Sequence, residues 1–269
     1  MTSQKDTRLI PVSNGQLACD IAGEGPWVVL VHAGIANRRM WNIQVEALAP
    51  HFTVLRYDMR GYGESPVPTS PFSHHDDLRQ LLDALSIDRA HIVGLSMGAS
   101  VALDLALSTP GYVDRLVVSS ALGPPPRSQS LLDGWAAAES AFERDGLPGV
   151  NEIEMRIWVD GPDRSPEDVD PRVRALVAEM NLPVLEYEES AEFESDDLDP
   201  PAHARLADIS SPTLVLTGDR DQPDVLSYTA RLAQDIPGAR LETIAGAAHM
   251  VNMEAPERFN RLVVNFLTE

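Results

Sequence analysis

Apolar positions along the chain follow two alternating patterns. Short continuous runs occur at Trp27–Val31, Phe52–Tyr57, residues 91–95, Arg115–Ser119, Pro212–Thr217 and Arg240–Ile244. Runs of that length and density read as strands buried on both faces of a sheet. Between them, apolar residues recur at helical spacing over Met40–Leu48, Ser73–Leu85, residues 97–108, Val225–Asp235 and Pro256–Leu267. Ser73 is placed to cap the second of these, and Pro110-Gly111 to stop the third. Residues 8–12 and 16–21 instead alternate around Asn14-Gly15, which predicts an antiparallel hairpin at a sheet edge. Strands alternating with helices through short connections predict an α/β fold. Its sheet is doubly wound and mostly parallel, with right-handed crossovers.

The alternation breaks at Gly123-Pro124-Pro125-Pro126. From there to about residue 199 only helical patterns appear, at 131–144, 150–158 and 171–180. The expected organisation is a core of residues 1–124 and 200–269, with 125–199 inserted between strands as a helical cap over the carboxyl edge of the sheet. The end of that insertion, Glu186 to Asp199, is densely acidic and reads as a solvated surface, since it lacks the spacing of a calcium-binding loop.

Composition narrows the functional classes. The 269 residues suit one large domain, or one domain with an insertion, and 43% apolar content is ample for a core. A net charge of −20 argues against nucleic acid and anionic membrane as partners, because both require basic surface. Cys19 is the only cysteine, which excludes an internal disulfide or a cysteine-based metal cluster. No secretion signal and no membrane-length apolar run is present, so a cytoplasmic protein is expected.

The candidate chemistry centres on Gly94-Leu95-Ser96-Met97-Gly98, where an apolar strand meets a helix with a serine at the apex. Such a turn strains the serine backbone and requires small neighbours, which Gly94 and Gly98 supply. Functional groups in parallel α/β sheets collect at the carboxyl ends of the strands. Those ends carry His32, Asp58, Ser96, Ser119 or Ser120, Asp219 or Asp221, and His249. A neutral serine needs a base, and the base needs a group to hold its tautomer. His249, after the last strand, suits the base, and Asp221 suits the orienter.

Five motifs in this order resemble the α/β-hydrolase fold superfamily along nearly the whole chain. They are Val31-His32-Ala33-Gly34, Asp58–Ser65, Gly94–Gly98, Gly218–Asp221 and Gly246–His249. Within it, the chain is most similar to small serine esterases, 3-oxoadipate enol-lactonases and cofactor-free haloperoxidases. The resemblance implies a Ser96–His249–Asp221 triad and selects Asp221 over Asp219 and Asp224 as the last residue of Gly-x-x-Asp. It also implies an oxyanion hole made by the N–H of Met97 and that of Gly34, with Ala33 the alternative second donor. Ala33 stands where the family usually has glycine, a departure that could shift the loop. His32 is expected to support that loop rather than react. Trp41, Trp135 and Trp158 are candidate pocket residues, although aromatic residues at helical spacing more often belong to a core. No metal or organic cofactor is implied. The expected function is hydrolysis of a small carboxylic ester or lactone through an acyl-enzyme. The alternatives are carbon–carbon bond hydrolysis or perhydrolysis by the same triad, and a non-catalytic small-molecule receptor. Serine rather than aspartate at 96 argues against haloalkane dehalogenase and epoxide hydrolase chemistry.

Overall fold

A computed structural model describes residues 7–269. Eight strands form one sheet in the order β1-β2-β4-β3-β5-β6-β7-β8. The strands are β1 (Arg8–Val12), β2 (Gly15–Ala22), β3 (Trp27–Val31), β4 (Thr53–Tyr57), β5 (Ala90–Leu95), β6 (Val113–Ser119), β7 (Thr213–Gly218) and β8 (Arg240–Ile244). β1 and β2 pair antiparallel around Asn14, whose φ of 58° suits the tight turn, and β2 joins β4 antiparallel. All later pairings are parallel. The expected α/β fold and its edge hairpin are therefore present.

Side chains alternate across the central strands and build two apolar layers. Val29, Val31, Leu55 and Ile92 face one side, where they meet α2 (His74–Ala84), α3 (Met97–Ser108) and α7 (Pro223–Asp235). Val28, Leu30, Val54 and Val93 face the other, covered by α1 (Asn42–Leu48) and α9 (Pro256–Leu267). With both faces covered, the strands read as unbroken apolar runs. Ser73 caps α2 by accepting from Asp76 N.

Between β6 and β7 the chain is helical: α4 (Gln129–Asp145), α5 (Leu147–Glu154), a π turn (Met155–Asp160) and α6 (Pro171–Ser190). The third helix does not stop near residue 180 as its sequence pattern suggests. It continues through Pro183 to Ser190. Val184 and Leu185 are buried and Tyr187 meets Tyr62, so tertiary packing outweighs the hydrogen bond that proline removes. The first acidic residues of the Glu186–Asp199 tract thus lie on a helix, and the rest form an extended connection along α2 and α3. A four-residue helix, α8 (Val251–Glu254), precedes α9. No helix of the described residues is long and apolar enough to cross a membrane.

Candidate active site

Ser96 occupies the turn between β5 and α3 at φ 57° and ψ −117°, a conformation costly for any side chain. The turn is held by hydrogen bonds from Ser96 N to Ser119 O (2.8 Å) and from Ala99 N to Ser96 O (2.9 Å). Its two glycines are required by close backbone approach. A Cβ on Gly94 would strike the Gly98 carbonyl, and one on Gly98 would strike the carbonyls of Val31 and His32. The serine turn and the loop after β3 are thus pressed together through main chain.

His249, after β8, and Asp221, after β7, meet each other at the carboxyl edge of the sheet, 2% exposed each. His249 Nδ1 lies 2.9 Å from Asp221 Oδ2 and 3.1 Å from Oδ1. Asp221 Oδ1 also accepts from Gln222 N (2.7 Å), which fixes the carboxylate against rotation. Gln222 in turn donates to Ile157 O, tying the turn after β7 to the helical segment. The indole of Trp158 stacks on the His249 ring, centroids 4.7 Å apart. His249 Nε2 has no hydrogen-bond partner among the described residues, and no direct hydrogen bond joins it to Ser96 Oγ.

The other aspartates near Asp221 have separate tasks. Asp219 Oδ1 accepts from Gly246 N (2.7 Å) and shapes the loop that leads to His249. Asp224 accepts from the backbone and hydroxyl of Ser128, anchoring the start of α4.

The loop after β3 distinguishes its two candidate donors. Ala33 N donates to Met40 Sδ (3.3 Å), so it is already engaged. Gly34 faces Met97: a Cβ built on it would sit 3.7 Å from the Met97 Cβ. Neither Gly34 N nor Met97 N has a protein acceptor among the described residues. His32 is fully buried, with Nδ1 donating to Ala33 O (2.8 Å) and Nε2 accepting from Met59 N (2.9 Å). Burial holds its pKa below the usual imidazole range, so the ring remains a neutral strut between two loops. Asp58 and Arg60 carry the second of these loops. Asp58 accepts from Arg38 N (2.7 Å) and pairs with the Arg38 guanidinium, and Arg60 Nε donates to Asp77 (2.8 Å).

A cleft of about 460 Å³ opens beside Met97, on the α3 side rather than beside His249. Tyr62, Phe72, His74 and Tyr187 line its aromatic part, and Asp104, Glu194, Asp196 and Asp197 contribute carboxylates. No Arg or Lys lines it. Burial and the neighbouring Asp197 push the Asp104 carboxyl up to about 7. Burial pushes the His74 imidazole down to about 3. The cleft is therefore acceptor-rich and lacks a fixed cation.

Of the three candidate tryptophans, only Trp158 reaches His249. Trp41 is fully buried against Phe259, and Trp135 is exposed beneath Arg127. Ser119 and Ser120 are both buried, and neither hydroxyl has a partner among the described residues. The aromatic cleft residues escape sequence reading because they come from three separate segments. No group of three or more His, Cys, Asp or Glu among the described residues is placed to hold a metal ion.

Comparison with known proteins places this geometry in context. A sequence model of the alpha/beta hydrolase family matches residues 28–262. A Caulobacter sp. (strain K31) protein assigned as a carbamate hydrolase is 31% identical over 263 residues, covering 89% of this chain and 90% of its own. The 3-oxoadipate enol-lactonase 1 of Acinetobacter baylyi is 29% identical, covering 90% of this chain and 88% of its own. The crystal structure of an enol-lactonase from Burkholderia xenovorans LB400 superposes with a TM-score of 0.79 at 28% identity, over 97% of this chain and 100% of that one. The matched span runs from within β3 through β8 and includes Ser96, Asp221 and His249, and on that ground the chain belongs to the alpha/beta hydrolase family.

Proposed function

We propose that the protein hydrolyses a small carboxylic ester or lactone through a covalent acyl-enzyme. The observation that carries this reading is the Asp221–His249 pair, held at 2.9 Å after β7 and β8, on a sheet whose β5 ends in a serine in a strained turn. Asp221 accepts from Nδ1–H, which leaves Nε2 as the proton acceptor facing the site.

Ser96 Oγ attacks the substrate carbonyl carbon while His249 Nε2 takes the hydroxyl proton. Charge builds on the former carbonyl oxygen, and the N–H groups of Gly34 and Met97 receive it. The imidazolium then protonates the leaving alkoxide as the ester bond breaks. Water enters, gives its proton to His249 and attacks the acyl carbon, and the product acid leaves as the proton returns to Ser96. Loss of one oxyanion donor in such a site costs about 10²–10³ in kcat. The leaving group must depart toward His249, so the cleft beside Met97 is the place for the acyl portion. The likeness to named enol-lactonases supports a cyclic or linear ester of modest size.

The test is release of p-nitrophenol from short-chain p-nitrophenyl esters by the wild type and by Ser96→Ala. Serine-dependent turnover supports the reading, and equal rates for the two proteins overturn it. A parallel panel of lactones and β-diketones separates ester hydrolysis from carbon–carbon cleavage by the same residues.

A further inference from the structure

Behind the Asp221–His249 pair lies a second buried charge pair that the reaction scheme above does not use. Arg164, in the segment between β6 and β7, forms an ion pair with Glu254 of α8 (Nη2 to Oε2, 2.7 Å). The two side chains are only 13% and 7% exposed. Glu254 Oε1 accepts the backbone N–H of Ala248 (2.9 Å), the residue immediately before His249. Arg164 also donates to three carbonyls: Asp160 O (2.6 Å), Val159 O (2.8 Å) and Gly246 O (3.0 Å).

Two of those carbonyls end the π turn that carries Trp158. A helix terminus leaves its last carbonyls without internal donors, and Arg164 supplies donors here. The third carbonyl belongs to the loop that carries His249. One planar guanidinium therefore spans both sides of the Trp158–His249 stack, and only arginine has the fork to do so. A second tie, Arg174 to Asp160 (3.0 Å), holds the same turn to α6. Other charged groups face the clasp from adjoining elements: Asp221 after β7 lies within Coulombic reach of Glu254, Asp168 within reach of Arg164, and the Asp160–Arg174 pair flanks it.

We infer that Arg164 and Glu254 are positioning residues for His249, locking the turn that bears Trp158 to the loop that bears the imidazole. The helical segment between β6 and β7 then helps set where the base stands, besides bordering the substrate. This inference rests on the proposed hydrolase reading for its kinetic consequence but not for its structural one.

Glu254→Gln retains an acceptor for Ala248 N–H and removes the charge. Arg164→Met removes the fork and leaves Glu254 unpaired, and Arg164→Lys keeps the ion pair while losing the fork. In p-nitrophenyl butyrate hydrolysis, kcat is expected to fall about tenfold or more in Glu254→Gln and Arg164→Met, with KM within about twofold. Arg164→Lys is expected to fall between wild type and Arg164→Met. The acid limb of kcat/KM is expected to shift about half a pH unit, downward for Glu254→Gln and upward for Arg164→Met. A purely structural loss has no reason to move it in opposite directions. The Nδ1–H proton resonance of His249, read by NMR, is expected to move or broaden in both variants. Folded variants with kcat within about twofold of wild type and an unmoved resonance overturn the inference. If Ser96→Ala proves as active as wild type, the hydrolase reading falls and the resonance alone decides: moved, the positioning role stands; unmoved, it fails.

Discussion

Trp158 covers His249, with ring centroids 4.7 Å apart and planes tilted by 44°. The indole screens one face of the imidazole from water while the ring edge stays open on the Nε2 side. Trp158→Ala is expected to lower kcat/KM about tenfold, and Trp158→Phe to retain most activity, because a smaller aromatic ring preserves the stack. Steady-state kinetics on the two variants checks this. Equal activity in Trp158→Ala and wild type would show that the stack is incidental.

Three aspartates lie within six residues of one another, but only Asp221 touches His249. Asp221→Asn is expected to lower kcat by about 10⁴, since the amide cannot hold the same tautomer. Asp219→Asn and Asp224→Asn keep an acceptor for Gly246 N and Ser128 N, so activity within about threefold of wild type is expected. An inactive Asp219→Asn beside an active Asp221→Asn would reassign the acid.

The cleft beside Met97 presents carboxylates and no fixed cation. An ester whose acyl group ends in a carboxylate is expected to show a lower kcat/KM than its methyl-capped neutral analogue. Added salt should narrow the gap, because exposed charges are screened within about 10 Å at 0.1 M. A preference for the anionic substrate at low salt would contradict the acyl-side placement of this cleft.

Protonation of the buried imidazoles links stability to pH. The folded-state pKa values of His32 and His74 lie below the ordinary 6.5, that of His74 at about 3, with burial the largest cause in each. The unfolded chain therefore binds these protons first as pH falls. The stabilisation is fully present above pH 6.5 and is lost as pH drops toward the folded values. Each group contributes a slope of up to about 1.4 kcal/mol per pH unit. Denaturant titrations between pH 7 and 5 are expected to show this loss, with a shallower slope for His74→Gln. An unchanged slope would remove His74 from the account.

Much of the fold is legible in the chain because each central strand is covered on both faces. Val28 to Val31 is an unbroken apolar run for that reason, and Asn14-Gly15 announces its hairpin by backbone preference alone. The serine turn is equally legible as a five-residue pattern, and Gly94 answers a demand within it, although the carbonyls that require Gly98 come from the distant loop after β3. Helix α6 is less so: Pro183 suggests an end, while Val184, Leu185 and Tyr187 pack against distant residues that local spacing does not reveal. Trp158 is among the candidate pocket residues on its own spacing, but its contact with His249 is not readable there, and Arg164 and Glu254 escape for the same reason. Their relation to His249 depends on how two loops nearly 90 residues apart in the chain meet at the carboxyl edge. The Ala33 substitution is readable as a departure, but its consequence is visible only once Met40 is seen to take its N–H.

The contact between Gly98 and the carbonyls of Val31 and His32 has a consequence for how the protein can change. Gly98→Ala is expected to lower stability by about 2–3 kcal/mol, measured as a fall in the urea midpoint. Because the two proposed oxyanion donors are joined through that contact, their separation is set by main chain rather than by any side chain nearby. Mutational drift among the surrounding side chains can therefore remodel the walls of the site while its electrophile-gripping jaw keeps one width. Inheritance of the chemistry and exploration of new substrates are, in this architecture, assigned to different parts of the polypeptide.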